Sequence, residues 1–457
     1  MKTITHNPNL AVQQVYQHLH GQHKTYHIST FGCQMNDHDS EKISGLLETM
    51  GYTATEKEEQ ADFILFNTCA VRENAELRVF GNIGRMKPIK QARPDVIIGV
   101  CGCMMQQSHM IEAIKTKYPY VDLVFGTHNL SAIPEFVQRI LVGKERVIEV
   151  EQDAALVEGL PVRRNLDVKA YVTIMQGCDN FCSYCVVPYT RGREKSRNPE
   201  AILEEIRELV AGGVKEVTLL GQNVNSYGKG LDPAVDFAEL LQLVNQVELL
   251  ERIRFMTSHP KDLSERLIQA MNLPKVMPTI HLPAQSGSNT ILKAMNRKYT
   301  REDYLALVNR LRQVVPDVAI TTDIIIGYPG ETEADVDATI ALIEAVRFDA
   351  AFTFIYSSRV GTPAAKLPDA TPEEVKHARF DRMLQALNTI VTAKNQARVG
   401  NVYEVLVEGI QERSDNYQGR TRENFLVTFP ATPSDVGTTR LVKITKARKF
   451  SLEGELL

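Results

Sequence analysis

Ala170-Tyr-Val-Thr-Ile-Met175-Gln-Gly177-Cys178-Asp-Asn-Phe-Cys182-Ser-Tyr-Cys185 is the stretch on which the reading of this chain turns. Its opening is an apolar, β-rich run that predicts a strand, and three thiols follow its end. Thiols so closely spaced can wrap a single iron–sulfur cluster. A zinc site is the competing reading, but it wants a fourth ligand, and no further cysteine or histidine lies close in sequence. A cluster held by three thiolates keeps one iron open, and an open iron can bind a small chelator.

Outward from this stretch, strand-plus-helix units repeat from about residue 164 to 396. Strands are predicted at 170–175, 216–220, 252–257, 279–282, 318–326 and 350–356, each followed by an amphipathic helical pattern. The last helix opens with Thr371-Pro-Glu-Glu374, a predicted capping box. Six consecutive units predict a partial (β/α)6 barrel, whose chemistry belongs at the C-terminal strand ends. The unusual residues fall there: Gly177-Cys178, Gly221-Gln222-Asn223, Ser258-His259-Pro260, Pro283-Ala-Gln-Ser286-Gly-Ser288 and Gly327-Tyr-Pro-Gly330-Glu-Thr332.

Residues 24–143 read as an open parallel α/β domain with strands near 25–31, 63–67, 96–100 and 121–125, and with Asn36 or Asp37 capping the first of its helices. Cys33, Cys69 and Cys103 each lie just past the end of a predicted strand. In an open parallel sheet those ends share one edge, so the three thiols converge. Three converging thiolates again suit an iron–sulfur cluster with an open iron; three buried cysteines acting as small hydrophobes are the alternative. Cys101 lies two residues from Cys103 and can share its face, so spacing does not choose between them. Residues 1–23, with His18, His20 and His23, read as a polar, solvated and partly disordered extension, and 144–163 as a linker.

From 397 to 457 the pattern changes to short β segments, near 402–408, 419–421, 426–429 and 440–446, which predict a small antiparallel β-barrel. Its nine Lys/Arg against eight Asp/Glu give a net charge of only +1. Lys443, Lys446, Arg448 and Lys449 still cluster near the end, with Arg420 and Arg422 on another predicted loop, enough to contact phosphates. The alternative is a solvated charged face.

Composition sets outer bounds. At 457 residues the chain exceeds one ordinary domain, and 43% hydrophobic with 24% charged residues excludes disordered and fibrous classes. A net charge of −4 excludes a globally basic nucleic-acid binder, so any RNA contact must be local. No apolar run reaches the roughly 18 residues of a membrane span. Nothing at the N-terminus directs the chain to an oxidising compartment, so seven cysteines argue for metal or redox chemistry in a soluble, cytoplasmic protein.

Cys178, Cys182 and Cys185, spaced CxxxCxxC after the first strand of a partial barrel, resemble the signature of radical S-adenosylmethionine (SAM) enzymes. That resemblance implies a 4Fe-4S cluster whose open iron binds SAM, with Tyr184 beside the adenine. It also implies SAM contacts from Gly221, Gln222, Asn223, Ser286, Ser288 and Gly327. Gly32-Cys33-Gln-Met-Asn36, Asn67-Thr-Cys69-Ala-Val-Arg72, Gly102-Cys103-Met-Met-Gln106, Gly221-Gln-Asn-Val-Asn225-Ser-Tyr-Gly228 and His281-Leu-Pro-Ala-Gln-Ser-Gly-Ser288 are similar to the methylthiotransferase branch of that superfamily. Met105 and Val71 depart from the usual residues there without touching a ligand.

The branch implies that Cys33, Cys69 and Cys103, rather than Cys101, hold an auxiliary 4Fe-4S cluster that takes part in sulfur insertion. SAM is then both methyl donor and radical source, and no general acid or base is assigned. The C-terminal barrel resembles the TRAM domain, an RNA-binding module. The implied reaction is methylthiolation of C2 of N6-isopentenyladenosine at tRNA position 37, with recognition of the splayed anticodon loop. The implied partners are that tRNA, an electron donor such as flavodoxin or ferredoxin, and a sulfur source. Methylthiolation of threonylcarbamoyl-adenosine, or of an aspartate in a ribosomal protein, is the alternative within the branch. Outside it stand a noncatalytic two-cluster RNA-binding or electron-transfer protein and a zinc-stabilised RNA-binding scaffold.

Overall fold

The computed structural model describes residues 8–70, 73–153, 155–164, 168–412 and 414–457, and of Pro8 and 73–77 the backbone alone. They divide into two compact units, one within Met1–Asn165, Gln176–Cys178 and Val186–Arg193, the other within Leu166–Met175, Asp179–Cys185 and Glu194–Leu457. Among the described residues no helix is long and apolar enough to cross a membrane.

The first unit is built on strands β1 (Thr25–Thr30), β2 (Thr53–Ala54), β3 (Phe63–Thr68), β4 (Ile97–Gly102), β5 (Leu123–Phe125) and β6 (Val147–Glu149). They pair in parallel in the order β2-β1-β3-β4-β5-β6. Its helices are α1 (Pro8–Leu19), α2 (Gln34–Thr49), α3 (Glu73–Ala92), α4 (Ser108–Lys117) and α5 (Ile133–Leu141). Strand alternation sends Phe63, Leu65, Ile97 and Leu123 toward α1, α2 and α5, and Ile64, Phe66, Ile98 and Val124 toward α3 and α4. Covered on both faces, β3 and β4 are buried at every residue, which is why they read as unbroken apolar runs. The chain leaves β1 toward β2 on one side and β3 on the other, so the switch point of the sheet lies between β1 and β3.

Three expectations change here. The stretch predicted as a disordered extension contains α1, and its Ala11, Val15 and Leu19 are buried. Their spacing of four residues puts them on one helix face, and each of the two larger side chains contributes about 1.5–3 kcal/mol of burial. Residues 1–7 lie outside the described residues. The predicted linker contains β6, which extends the sheet. Helix α2 begins earlier than expected, with Cys33 as its N-cap, because the Asn36 side chain turns back to donate to the carbonyls of Phe31 and Thr68 at 2.7 and 3.0 Å.

In the second unit the strands are β7 (Lys169–Thr173), then the two-residue β8 (Met175–Gln176) and β9 (Lys195–Ser196), followed by β10 (Glu216–Leu220), β11 (Arg252–Phe255), β12 (Thr279–His281), β13 (Ala319–Ile326) and β14 (Ala350–Ile355). β7, β10 and β11 form one parallel ladder and β12, β13 and β14 another, joined by a bridge between Ile253 and Val276. Six parallel strands in sequence order thus make an open barrel. Val172, Val217, Ile253, Ile280 and Ile320 face the helices that cover it. The predicted capping box at Thr371 does not form: the long helix Glu373–Gln396 is preceded by Pro372 with no side-chain cap, and the Thr371 amide donates to Asp369 instead.

The chain ends in a closed barrel of β15 (Val402–Ile410), β16 (Tyr417–Thr421), β17 (Leu426–Phe429), β18 (Thr439–Ala447) and β19 (Leu452–Leu456). All pairings are antiparallel except β17 with β19. β19 escapes the sequence pattern because Gly454 interrupts it. The glycine is needed, since a Cβ there would stand 2.5 Å from Val442 Cγ1 and 2.8 Å from the Lys443 carbonyl oxygen.

Candidate functional site

Cys33, Cys69 and Cys103 follow the C-terminal ends of β1, β3 and β4, two of them at the switch point of the first sheet. Turn geometry brings them together. Gly32 has φ +125°, and a Cβ on it would lie 2.7 Å from Cys69 Cβ. Gly102, at φ +94°, leaves no room either, since a Cβ would lie 2.5 Å from the Thr68 carbonyl oxygen. Cys33 is exposed at the N-terminus of α2, where the helix dipole favours an anionic group, while Cys69 and Cys103 are buried. Cys101 sits differently: its side chain belongs to the apolar layer with Ile97 and Phe125. Cys103 instead lies with Ala70 and Val186, beyond the strand. Val71 and Arg72 of the Cys69 motif lie outside the described residues.

A buried cation faces the trio that no sequence pattern singled out. Arg191 donates from Nε to Cys103 Sγ at 3.2 Å and from Nη2 to Asn36 Oδ1 at 2.8 Å, and it pairs with Asp39 at 2.7 Å. Burial pushes the Cys103 thiol up to about 12, with Arg191 pulling the other way. Burial disfavours the charged guanidinium as well, but Asp39, Cys103 and Cys33 outweigh it and hold Arg191 protonated. Thiols beside a fixed positive charge suit an anionic metal–thiolate group, whose binding expels their protons.

In the second unit Cys182 and Cys185 lie in the loop that follows the first barrel strand, and Cys178 opens the same motif. Arg297, also buried, donates to Cys182 Sγ at 3.4 Å, to the Tyr299 hydroxyl at 2.8 Å and to the Pro283 carbonyl at 2.8 Å. Tyr184 packs with Ile291, Met295, Ile325 and Tyr328, presenting an aromatic face beside the thiols.

The other predicted SAM loops follow β10, β12 and β13. Gly221 packs against Met175, where a Cβ would come within 2.5 Å of Cγ. Gln222 is half-buried, and Asn223 donates to Asp262 at 2.7 Å. Ser286 bonds Thr339, and Ser288 bonds Asp335 and caps the helix Asn289–Ala294. Both serine hydroxyls are therefore occupied in shaping the loop. Gly327, at φ +79°, donates its N–H to Glu331 at 2.6 Å.

Beside the predicted Asn223, the same barrel edge carries polar groups that the predicted site omitted, Asn225, Ser258 and Gln285. Among the described residues, Asn223 Oδ1, Asn225 Oδ1, Ser258 Oγ and Gln285 Oε1 are buried without a partner. Thr257 and Gln285 both hold φ +70°, conformations that non-glycine residues adopt at a cost, and that cluster at binding sites. Burial, with Arg297 and Lys261, lowers His259 to about 2, so this imidazole is neutral and carries no acid function near pH 7. Unmatched polar atoms around strained strand ends fit a polar ligand such as SAM. Strand alternation would have marked them only once the strand ends were fixed.

At the opposite, N-terminal ends of these strands the small barrel is anchored. Arg252 donates to the Arg420 carbonyl at 2.9 Å, and Arg254 to the Thr421 and Arg422 carbonyls at 2.8 and 2.9 Å. Arg254 also pairs with buried Glu216 at 2.9 Å, and Lys169 with Glu408 at 2.7 Å. Arg420 therefore lies in β16 and not in a loop, its Nε 3.5 Å from Glu408, while Arg422 lies just beyond the strand, 3.7 Å from Glu404. Lys443, Lys446, Arg448 and Lys449 are exposed, Arg448 pairing with Glu453.

Residues 25–126 match the uncharacterized protein family UPF0004, 172–343 the radical SAM superfamily and 396–457 the TRAM domain. The radical SAM methyltransferase TsrM from Kitasatospora setae, solved with cobalamin and a [4Fe-4S] cluster, shares the fold with TM-score 0.56 at 13% identity, covering 75% of this chain and 74% of that one. The cobalamin-dependent radical SAM enzyme OxsB gives TM-score 0.51 at 14% identity, over 82% of this chain and 57% of that one. Sequence relatives are far nearer. The tRNA-2-methylthio-N(6)-dimethylallyladenosine synthase of Clostridium novyi (strain NT) is 55% identical over 95% of this chain and 97% of its own. That of Thermoanaerobacter sp. (strain X514) is 53% identical over 98% and 95%. With that identity held from end to end, the chain belongs to the tRNA-2-methylthio-N(6)-dimethylallyladenosine synthases, a family of radical SAM enzymes.

Proposed function

We propose that this chain converts N6-isopentenyladenosine at position 37 of tRNA to its 2-methylthio derivative. The observation that carries the reading is the convergence of Cys33, Cys69 and Cys103 at one sheet edge, in a chain that also carries the radical SAM motif. Cys178, Cys182 and Cys185 would hold the SAM-binding 4Fe-4S cluster, and the first trio a second one. Bound there, the clusters supply the electron and the sulfur chemistry, and SAM supplies the methyl group and the hydrogen-abstracting radical.

The chain's own part is to bind, orient and keep water out. Tyr184 offers a stacking face, while Asn223, Asn225, Ser258 and Gln285 offer unspent polar atoms to a ligand at the barrel edge. Neutral His259 leaves no imidazolium to donate a stray proton there. C2 of adenine has no useful acidity, which is why no side chain is asked to act as a base. The small barrel would meet tRNA phosphates through Lys443, Lys446, Arg448 and Lys449, with Arg420 and Arg422 restrained by their carboxylate neighbours. A reductant and a sulfur source are needed from outside, and a cytoplasmic setting suits both.

The test is mass analysis of nucleosides from isopentenylated tRNA incubated anaerobically with the reconstituted protein, SAM and a reductant. The 2-methylthio nucleoside is expected. Alanine at Cys33, Cys69 or Cys103 should leave SAM cleavage to 5′-deoxyadenosine and abolish methylthiolation; alanine at Cys178, Cys182 or Cys185 should abolish both. Release of 5′-deoxyadenosine with no change in this nucleoside would move the substrate to threonylcarbamoyl-adenosine tRNA, and then to the ribosomal protein.

A further inference from the structure

We infer that Arg191 and Asp39 are opposed positioning residues for the group held by Cys33, Cys69 and Cys103: the guanidinium orients Cys103 and raises the reduction potential there, and the carboxylate holds it down. The inference rests on the reading of that trio as a cluster site.

Arg191 has a side chain 2% exposed and Asp39 one 4% exposed, so neither charge is screened by solvent. The guanidinium is fixed from two elements of the first unit. Asp39 and Asn36 come from α2, with Asn36 itself tied to the carbonyls of Phe31 and Thr68, and Cys103 follows β4. An ammonium would not reproduce this fork, which uses separate nitrogens for sulfur and oxygen. Nη1 is left over, because among the described residues it is buried with no partner. A buried unpaired donor is costly unless something meets it. Cluster sulfides are acceptors of the missing kind, and hydrogen bonds to sulfur are among the features that set cluster potentials.

The sign follows from charge. Reduction adds an electron to a group that is already anionic. A fixed cation in hydrogen-bond contact with one ligand favours the reduced state, and a buried carboxylate behind it opposes. Arg191 cannot lose its proton, so this bias is constant across pH. Removing it makes the site harder to reduce, and removing Asp39 makes it easier.

The experiment uses the full chain with Cys178, Cys182 and Cys185 replaced by alanine, reconstituted with iron and sulfide, so that only the first trio can hold a cluster. Redox titration followed by electron paramagnetic resonance gives its midpoint potential. Arg191→Gln should lower the reduction equilibrium constant at least tenfold, about 59 mV for one electron. Asp39→Asn should shift it the other way, and Arg191→Lys should fall between Arg191→Gln and the parent. A merely structural role would change iron content without opposite shifts in potential. Unchanged potentials, or shifts of the same sign in Arg191→Gln and Asp39→Asn, overturn the inference. Where Arg191→Gln retains no cluster, the rise expected in Asp39→Asn decides alone. A parent that binds no iron–sulfur cluster at all refutes the reading of the trio itself, and the inference with it.

Discussion

Glu331 closes the turn after β13 and titrates where no surface carboxylate does. Its carboxylate accepts the Gly327 N–H at 2.6 Å, but among the described residues its Oε1 is buried without a partner. Burial raises its pKa from 4.5 to about 7, against the lowering effect of the Gly327 bond. Between these two values the folded chain holds a proton that the unfolded chain has released. The stability carried by the protonated carboxyl is therefore present below about pH 4.5, is lost as pH rises toward 7, and stays lost above it. A shift of that size corresponds to roughly 3 kcal/mol at about 1.36 kcal/mol per unit. Glu331→Gln keeps an acceptor for Gly327 and cannot ionise. The variant should match its parent near pH 4.5 and exceed it by up to about 3 kcal/mol at pH 8. Urea unfolding of the reduced, metal-free chain, followed by far-ultraviolet circular dichroism from pH 4.5 to 8, gives the difference between the two proteins, in which all other titrating groups cancel. A difference that is flat across the range, or a variant less stable at pH 8, refutes the reasoning.

Two further outcomes are expected. Arg254→Met removes the donors to the Thr421 and Arg422 carbonyls and strips buried Glu216 of a partner, so it should destabilise by about 3–5 kcal/mol, with Glu216→Gln in the same chain recovering part of it. Denaturation of both single variants and the double variant, with hydrogen exchange across 417–429, checks this, and additive single effects would count against the coupling. Lys443→Ala and Lys446→Ala should each weaken tRNA binding and reduce the slope of log affinity against log salt by about one, read from titrations at several salt concentrations.

The architecture was legible because parallel strands covered on both faces leave an unmistakable signal. Phe63-Ile-Leu-Phe66 and Ile97-Ile-Gly-Val100, in β3 and β4, carry no polar break, and Cys69 and Cys103 stand just past the ends of those strands. What escaped has physical reasons. β2 and β6 are edge strands of two and three residues, too short to show a period. Helix α1 hides its buried face, Ala11, Val15 and Leu19, among glutamines and His18. Arg191 and Arg297 are the larger omission. Each is a charged residue in a polar-looking segment, and nothing in local sequence tells a buried arginine with several partners from a solvated one.

These two arginines suggest how one chain handles two thiol trios. Each guanidinium touches a cysteine sulfur, Arg191 that of Cys103 and Arg297 that of Cys182, yet their surroundings differ in charge. Arg191 is countered by the Asp39 carboxylate, whereas Arg297 spends its remaining donors on a carbonyl and the Tyr299 hydroxyl, both neutral. The positive field at Cys182 is thus uncompensated by the groups that bond Arg297, whereas that at Cys103 is opposed by the Asp39 carboxylate. If Cys178, Cys182 and Cys185 hold the SAM-binding cluster as proposed, that cluster would be the one beside the cation no carboxylate opposes. A carboxylate placed beside Arg297 should then make a cluster held there harder to reduce and slow the release of 5′-deoxyadenosine, whereas the hydroxyl and carbonyl it now bonds add no opposing charge.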